Sequence, residues 1–373
     1  MTDALMRSPR SVDIEITSRC NLRCTYCSHF SSGADVAEDL PSSEWIRFFD
    51  ELAEAKVLRV VFSGGEPFVR DDFLSLITHL SQRPLRFAIL TNGTLIDSKT
   101  AQFLAACRRL DYIQISLDGA ESETHDAFRG KGSFEQVVSG IEFLKQAGIT
   151  PVVRVTVHRQ NYFRLKDIAR FILGDLGLPS FSTNSASHMG LCRRNAAITQ
   201  LTPPEYGEAM EILLELSELY PGRISATAGP LADGFTWWNM EQARRGCRPA
   251  PQGGGFLSGC NGPFQTLAVR ADGAMIPCQQ LGHLPLGQIN RDSLTFVWQH
   301  HPTLFLIRHR HRIPLSSFSL CEDCPYVAFC TGNCSATAYT HFGEINHPSP
   351  EGCLKLFLEN GGHLPDHWER LHG

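Results

Sequence analysis

Cys20-Asn21-Leu22-Arg23-Cys24-Thr25-Tyr26-Cys27 lies just beyond an alternating apolar run, Val12-Asp13-Ile14-Glu15-Ile16-Thr17. The run reads as a β-strand, which places the three cysteines in the loop that leaves it. Spaced C-x3-C-x2-C, three thiolates can hold three corners of a four-iron cube and leave one iron without a protein ligand. An open metal position is where a small molecule binds and reacts. A structural zinc site would use four ligands, and this segment offers three; chance clustering or half of a zinc knuckle is the alternative.

Working outward, the 373 residues suffice for a full core and suggest two or three domains or subdomains. Charged residues make up 20% and hydrophobic ones 42%, the balance of a globular chain. A net charge of -5 gives no electrostatic case for nucleic acid. No apolar run approaches a membrane span and no signal-peptide core is present, so the expected location is the cytoplasm. Thirteen cysteines, an odd number, suit reduced, metal-bound thiols better than a disulfide framework.

From residue 12 to about 184, strand-like and helix-like patterns alternate. Val57–Phe62, Leu85–Leu90, Asp111–Leu117 and Val152–Val157 read as buried strands, with Phe181–Asn184 a weaker candidate. Ser42-Ser43-Glu44 opens a helix through Trp45, Phe48, Phe49 and Leu52, and Phe134, Val137, Val138, Ile141 and Leu144 form another apolar stripe. Repeated β-α units imply a parallel sheet with right-handed crossovers. In such folds chemistry gathers at the C-terminal ends of strands. There stand Ser63-Gly64-Gly65-Glu66-Pro67, Thr91-Asn92-Gly93, and Ser116 with Asp118-Gly119. Each turn taken singly is also ordinary turn chemistry. Arg129 can serve a carboxylate as a bidentate partner or lie solvated at the surface.

With an aromatic residue before its last cysteine, the triad resembles the radical S-adenosylmethionine (SAM) enzymes. The resemblance implies that Cys20, Cys24 and Cys27 hold a [4Fe-4S] cluster whose open iron chelates SAM. One electron then splits SAM into methionine and a 5′-deoxyadenosyl radical, which takes a hydrogen atom from substrate. It further implies a partial (β/α)6 barrel of TIM type. Gly64, Gly65, Glu66 and Pro67 match the family's GGEP motif, whose backbone and carboxylate grip the SAM amino group. Tyr26, Asn92, Ser116, Asp118 and Arg129 become further cofactor-binding candidates.

Residues 185–245 show one readable helix, Pro203–Leu219, and a Thr236-Trp237-Trp238 segment suited to a domain seam. Gln265–Arg270 and Ala274–Ile276 flank Ala271-Asp272-Gly273, a hairpin signal. Cys260, Cys278, Cys321, Cys324, Cys330, Cys334 and Cys353 follow the order of the SPASM extension of radical SAM peptide-modifying enzymes. By that resemblance Cys321, Cys324, Cys330 and Cys353 hold one auxiliary [4Fe-4S] cluster, and Cys260, Cys278 and Cys334 the other. Cys247 can complete the second, or its iron can stay open. A zinc ribbon at Cys321–Cys334 is the alternative. His300, His301, His309 and His311, among Arg308, Arg310 and Arg312, read as a charged face rather than a metal tract. The division is a flexible tail (1–10), the barrel (11–185), a bridge (186–245) and a cysteine-rich SPASM domain (246–373).

The expected function is oxidative modification of a peptide or protein, such as a carbon–carbon, ether or thioether cross-link in ribosomal peptide maturation. A flavodoxin or ferredoxin would supply electrons. Nineteen residues precede Cys20, too few for a leader-binding winged helix, so leader recognition would fall to another surface or a separate protein. Gln279 stands where sulfatase-maturating relatives carry an aspartate base, which counts against formylglycine formation. Alternatives are a peptide epimerase with Cys192 as hydrogen-atom donor, a small-molecule dehydrogenase or tetrapyrrole-modifying enzyme, and a non-enzymatic iron–sulfur scaffold.

Overall fold

The computed structural model describes residues 5–29 and 38–365. Residues 1–4 of the expected tail and 366–373 at the far end lie outside the described residues. Seven strands run parallel in chain order: β1 (Ser11–Thr17), β2 (Arg59–Gly64), β3 (Arg86–Thr91), β4 (Leu110–Ser116), β5 (Val152–Val157), β6 (Phe181–Ser185) and β7 (Ile224–Ala226). The open parallel sheet with helices in the crossovers is the α/β architecture that the alternating pattern predicts.

Alternation along the strands explains the layers. Ile14, Phe62, Phe87, Ile113, Ile115, Val153 and Val155 share one core with Trp45, Phe48, Leu76, Leu80, Val137 and Ile141 from the crossover helices. Residues of the other parity, among them Glu15, Ser63, Gln114, Ser116 and Thr156, line the inner cavity of the sheet. A period-2 strand thus fills a dry outer layer and a polar interior with the same residues.

The C-terminal hairpin does not stand apart. β8 (Thr266–Val269) pairs in parallel with β1 through Ser11–Ile14, and β9 (Ala274–Ile276) and β10 (Gly287–Gln288) extend the same sheet antiparallel to ten strands. β1 is therefore interior, with β2 on one side and β8 on the other.

Several local expectations change. Residues 5–10 are not a loose tail: Trp298 Nε1 donates to the Met6 carbonyl at 2.9 Å, and Arg10 N to that of Gln265 at 2.8 Å. The first helix, Ser42–Glu54, is entered from Pro41 without a side-chain cap. The Ser42 hydroxyl instead bonds the Asp72 carboxylate, a charged and therefore stronger acceptor. Arg308 and Arg310 are buried rather than on a charged face. The Arg308 guanidinium donates to the Pro263 and Trp298 carbonyls and lies 4.3 Å from the Trp298 ring centroid, exchanging hydration for fixed acceptors. Trp237 and Trp238 do occupy a seam: helix Pro230–Arg244 packs them against Met210 and Leu214 of Pro203–Leu219 and against Leu354 and Phe357. No helix among the described residues is long and apolar enough to cross a membrane.

Because β8 covers the β1 edge, a chain ending at residue 245 would expose the Ser11–Ile14 backbone as a pairing template. That truncation is expected to associate with itself, with a thermal midpoint at least about 10 °C below the full chain. Size-exclusion chromatography and thermal melting check this.

Candidate functional site

A cavity of about 360 Å³ opens at the C-terminal ends of the strands. Cys20, Cys24 and Cys27 form one rim, and Ser63, Gly64 and Gly65 sit beside them. Thr91, Asn92, Ser116, Thr156, Asn184 and Ser185 continue the wall from β3 to β6. Gln279 and Gln280, just past β9, close it from the other side.

The cysteine loop is a folded unit. Cys27 N donates to the Cys24 carbonyl at 3.1 Å, Thr25 N to Phe128 at 2.9 Å, and Leu191 N to Cys27 at 2.9 Å. Leu22 N points at the Cys20 sulfur at 3.4 Å, a contact that favours a thiolate. Burial, opposed by Arg129 and helped by the neighbouring Cys27 and Cys20 thiols, pushes the Cys24 thiol up to about 12. Three thiols along one rim, with free space beside them, match the soft donor set of an iron–sulfur cluster with an open position. The thiols line a rim rather than close on one point: among the described residues, no three His, Cys, Asp or Glu form a group that could hold a metal ion.

The two glycines have a definite steric task. Gly65 N donates to the Thr17 carbonyl at 2.9 Å and Glu66 N to that of Arg19 at 2.8 Å, drawing the end of β2 onto the chain leaving β1. A Cβ on Gly64 would stand 2.2 Å from the Thr17 oxygen, and one on Gly65 2.0 Å from that of Arg19. Gly64 also has φ of +126°, where L side chains are strained. The glycines thus let two backbones meet, which sets the Gly-Gly rim beside the thiols.

Three expected cofactor contacts lie behind the wall instead of on it. Glu66 is buried and accepts from Thr91 Oγ1 at 2.7 Å, Asn92 N at 2.8 Å and Phe68 N at 3.2 Å. These donors occupy a carboxyl that burial pushes up to about 7. Pro67 follows it as the start of a 3-10 turn, also off the cavity wall. Asp118 is fully buried: Thr156 N donates to it at 2.7 Å, Arg129 Nε at 2.5 Å, and the Tyr26 hydroxyl also bonds it. The Arg129 guanidinium beside it holds the carboxyl below its ordinary range against the cost of burial. Arg129 itself lines the cavity, 5.4 Å from the Tyr26 ring centroid, and its terminal nitrogens make no hydrogen bond to a described residue. Tyr26, Asn92 and Ser116 line the cavity.

Cys192 does not reach this space. It is fully buried against Tyr26 and Phe128, with its sulfur 3.4 Å from Thr199 Oγ1, so it is not placed to donate a hydrogen atom there. The seven C-terminal cysteines fall into two electrostatic neighbourhoods: Cys321, Cys324, Cys330 and Cys353 in one, Cys260, Cys278 and Cys334 in the other. Cys247 is exposed beyond helix Pro230–Arg244, held by its N–H to Gln242, and belongs to neither. The three-thiol group adjoins the first cavity, since Cys334 Sγ lies 3.9 Å from Gln280 Oε1.

Sequence reading passed over Glu15, Gln114, Thr156 and Gln280 as wall residues. Their signal was there: each strand residue alternates with buried aliphatics, as Glu15 does between Ile14 and Ile16. His29 faces Glu15 at 3.4 Å on the same wall. Gln279 donates to Ser63 Oγ, tying the hairpin end to the Gly-Gly segment.

Asp118→Ala leaves the Arg129 charge buried beside an aromatic ring. It is expected to destabilise the fold by about 3–5 kcal/mol. The pair Asp118→Leu with Arg129→Met should cost clearly less, and anaerobic urea denaturation checks both.

Comparison with known proteins agrees with this geometry. The radical SAM superfamily model matches residues 14–172, and the SPASM model, an iron–sulfur cluster-binding domain, matches residues 260–325. An AdoMet-dependent heme synthase of Methanosarcina barkeri is 27% identical over 93% of this chain and 97% of its own. A PqqA peptide cyclase of Bradyrhizobium diazoefficiens is 25% identical over 94% of this chain and 88% of its own. Streptococcus suis SuiB, solved with its precursor peptide SuiA, shares the fold at TM-score 0.71 and 17% identity, covering 94% of this chain and 77% of that one. The chain is therefore a member of the radical SAM enzyme superfamily that carries a C-terminal SPASM iron–sulfur cluster-binding domain.

Proposed function

We propose that this enzyme oxidatively modifies a peptide or protein, forming a carbon–carbon, ether or thioether link in peptide maturation. The observation that carries the reading is the cavity that runs from the Cys20–Cys27 rim to Gln280, beside the three-thiol group. A substrate seated there has the hydrogen-abstracting site on one side and an electron acceptor on the other. Similarity to a PqqA peptide cyclase supports a peptide as occupant.

In this reading Cys20, Cys24 and Cys27 hold the first cluster. The Ser63–Gly65 backbone meets the amino group of SAM, and the free nitrogens of Arg129 meet its carboxylate. Tyr26, Asn92 and Ser116 bound the rest of that space, while Glu66, Pro67 and Asp118 position the wall from behind. When bound beside a reduced cluster, SAM supplies a 5′-deoxyadenosyl radical for hydrogen-atom abstraction. The chain's task is to orient one C–H bond toward that carbon and to keep water out. Cys321, Cys324, Cys330 and Cys353 hold one auxiliary cluster, and Cys260, Cys278 and Cys334 the other, with a fourth position that Cys247 does not reach. Gln279 lines the cavity without a carboxylate, so it offers no base for formylglycine formation. A flavodoxin or ferredoxin supplies electrons, a separate protein presents any leader, and the cytoplasm is the setting.

A tetrapyrrole is the second reading, favoured by the full-length likeness to a heme synthase. Against it, Arg129 is the one Lys or Arg among the described residues that line the cavity, little provision for several propionates.

The test is mass spectrometry of a precursor peptide encoded beside this gene, after anaerobic reaction with SAM and reductant in heavy water. Loss of two hydrogens is the expected result. Deuterium uptake without oxidation would mean epimerisation, and deoxyadenosine without any peptide change would move the tetrapyrrole forward. Cys24→Ala and Cys321→Ala should each remove about one-third of the bound iron, but only Cys24→Ala should abolish SAM cleavage. Gly65→Ala, which drives a Cβ into the Arg19 carbonyl, should weaken SAM binding by about tenfold or more, measured by equilibrium dialysis.

A further inference from the structure

A second cavity, of about 280 Å³, opens beside the first. The two share Ser185 and Ala186, at and just past the end of β6, as wall residues, so an extended ligand in one can place a neighbouring group in the other. Its far wall is built from the bridge and the C-terminal region, reaching Cys353 of the four-thiol group.

Three rings form the box. Trp237 lies 4.6 Å from Phe357 and 5.9 Å from Tyr206, centroid to centroid, and Tyr206 lies 6.1 Å from Phe357. The Trp237 ring is pinned by its Nε1–H, which donates to the Gly352 carbonyl at 3.0 Å. Two carboxylates join the rings. Asp233 receives the Tyr206 hydroxyl and has no ionic partner among the described residues; the charge that acts on it is that of Glu351, of the same sign. Glu351 reaches His341 at 3.2 Å and keeps a 34% exposed side chain. Among the described residues, no Lys, Arg or His lines this cavity.

A half-buried carboxylate that keeps only a tyrosine and a like charge for company is incompletely compensated, and desolvation pushes its carboxyl up to about 6. Aromatic faces beside it attract cations as well. An apolar or anionic group would leave Asp233 as it is or worsen it. A cation would pair with it, meet the rings, and offset Glu351.

We infer that this cavity seats a cationic side chain, lysine or arginine, of the peptide substrate, next in sequence or nearly so to the residue held for modification. The inference rests on the peptide reading above and adds a sequence preference to it. Asp233 and Glu351 provide the charge, while Tyr206, Trp237 and Phe357 provide the walls.

The test measures binding of two short peptide amides, N-acetyl-Gly-Arg-Gly and its citrulline counterpart, to the reconstituted enzyme with SAM by anaerobic calorimetry. Citrulline keeps the shape of arginine and removes the charge. The arginine peptide should bind about tenfold or more tightly, and Asp233→Asn should bring the ratio close to one. Should Asp233→Asn fail to fold, Glu351→Gln, at a more exposed position, should still lower the ratio. Equal binding by the unmodified enzyme, or a preference untouched by either substitution, would overturn the inference. If a precursor is modified while the two peptides bind alike, the cationic seat is wrong and the maturase reading stands. If the arginine preference holds and no peptide is modified, the seat stands and the maturase reading falls.

Discussion

A single buried carboxylate ties the active end of this barrel together. Asp118 accepts from the Tyr26 hydroxyl in the cysteine loop, from Arg129 at the end of helix Ser122–Arg129, and from Thr156 N on β5. Its own backbone N–H donates to His125 Nδ1 and its carbonyl accepts from Asn161. Charge-assisted bonds in a buried, low-dielectric site are strong, and an unmatched partner there is costly. The position of the three thiols relative to the strand ends therefore depends on one side chain that the cavity itself never touches. Burial keeps His125 and His158 neutral, each pushed down to about 4, so Arg129 remains the principal counter-charge.

The second constraint is the shared sheet. β8 pairs with β1, the strand that delivers the first cysteines, while β9 leads directly to Cys278 and Gln279. Both ends of the cavity are thus referenced to one strand by backbone hydrogen bonds rather than by a flexible domain contact. The Gln279–Ser63 bond closes that frame across the opening. Distance between the Cys20–Cys27 side and the three-thiol side is then a property of the fold, which suits the proposed reaction, in which a hydrogen atom and an electron move in fixed geometry.

Much of this was legible in the residues. C-x3-C-x2-C, the Gly-Gly-Glu-Pro turn and the seven-cysteine order pointed to strand ends, and the apolar runs located β1–β6, β8 and β9 to within a residue or two, while the short β7 and β10 had no readable run. What escaped was which side of each strand forms the lumen: Gln114 and Thr156 alternate with aliphatics, but only sheet curvature turns that parity inward. Glu66 and Asp118 misled in the same way. A carboxylate after a strand reads as a ligand contact, and here both are used up one layer behind, Glu66 by backbone and hydroxyl donors and Asp118 by those and the Arg129 guanidinium. Cys192 and Cys247 had no motif, so their burial and exposure could not be read from spacing.

The amino-acid sequence alone determined the chemistry, because thiol spacing and glycine placement are local: a few consecutive residues decide which ligands share a loop and where backbone can bend. It also determined the β-α order, because periodicity is local too. Tertiary structure alone decided the partners of charged side chains and the joining of the hairpin to β1. The second cavity, where Tyr206, Asp233, Glu351 and Phe357 meet from segments far apart in the chain, was likewise a product of packing. Those outcomes depend on which distant groups are brought within hydrogen-bonding or Coulombic range after the core closes, and no local pattern encodes that distance.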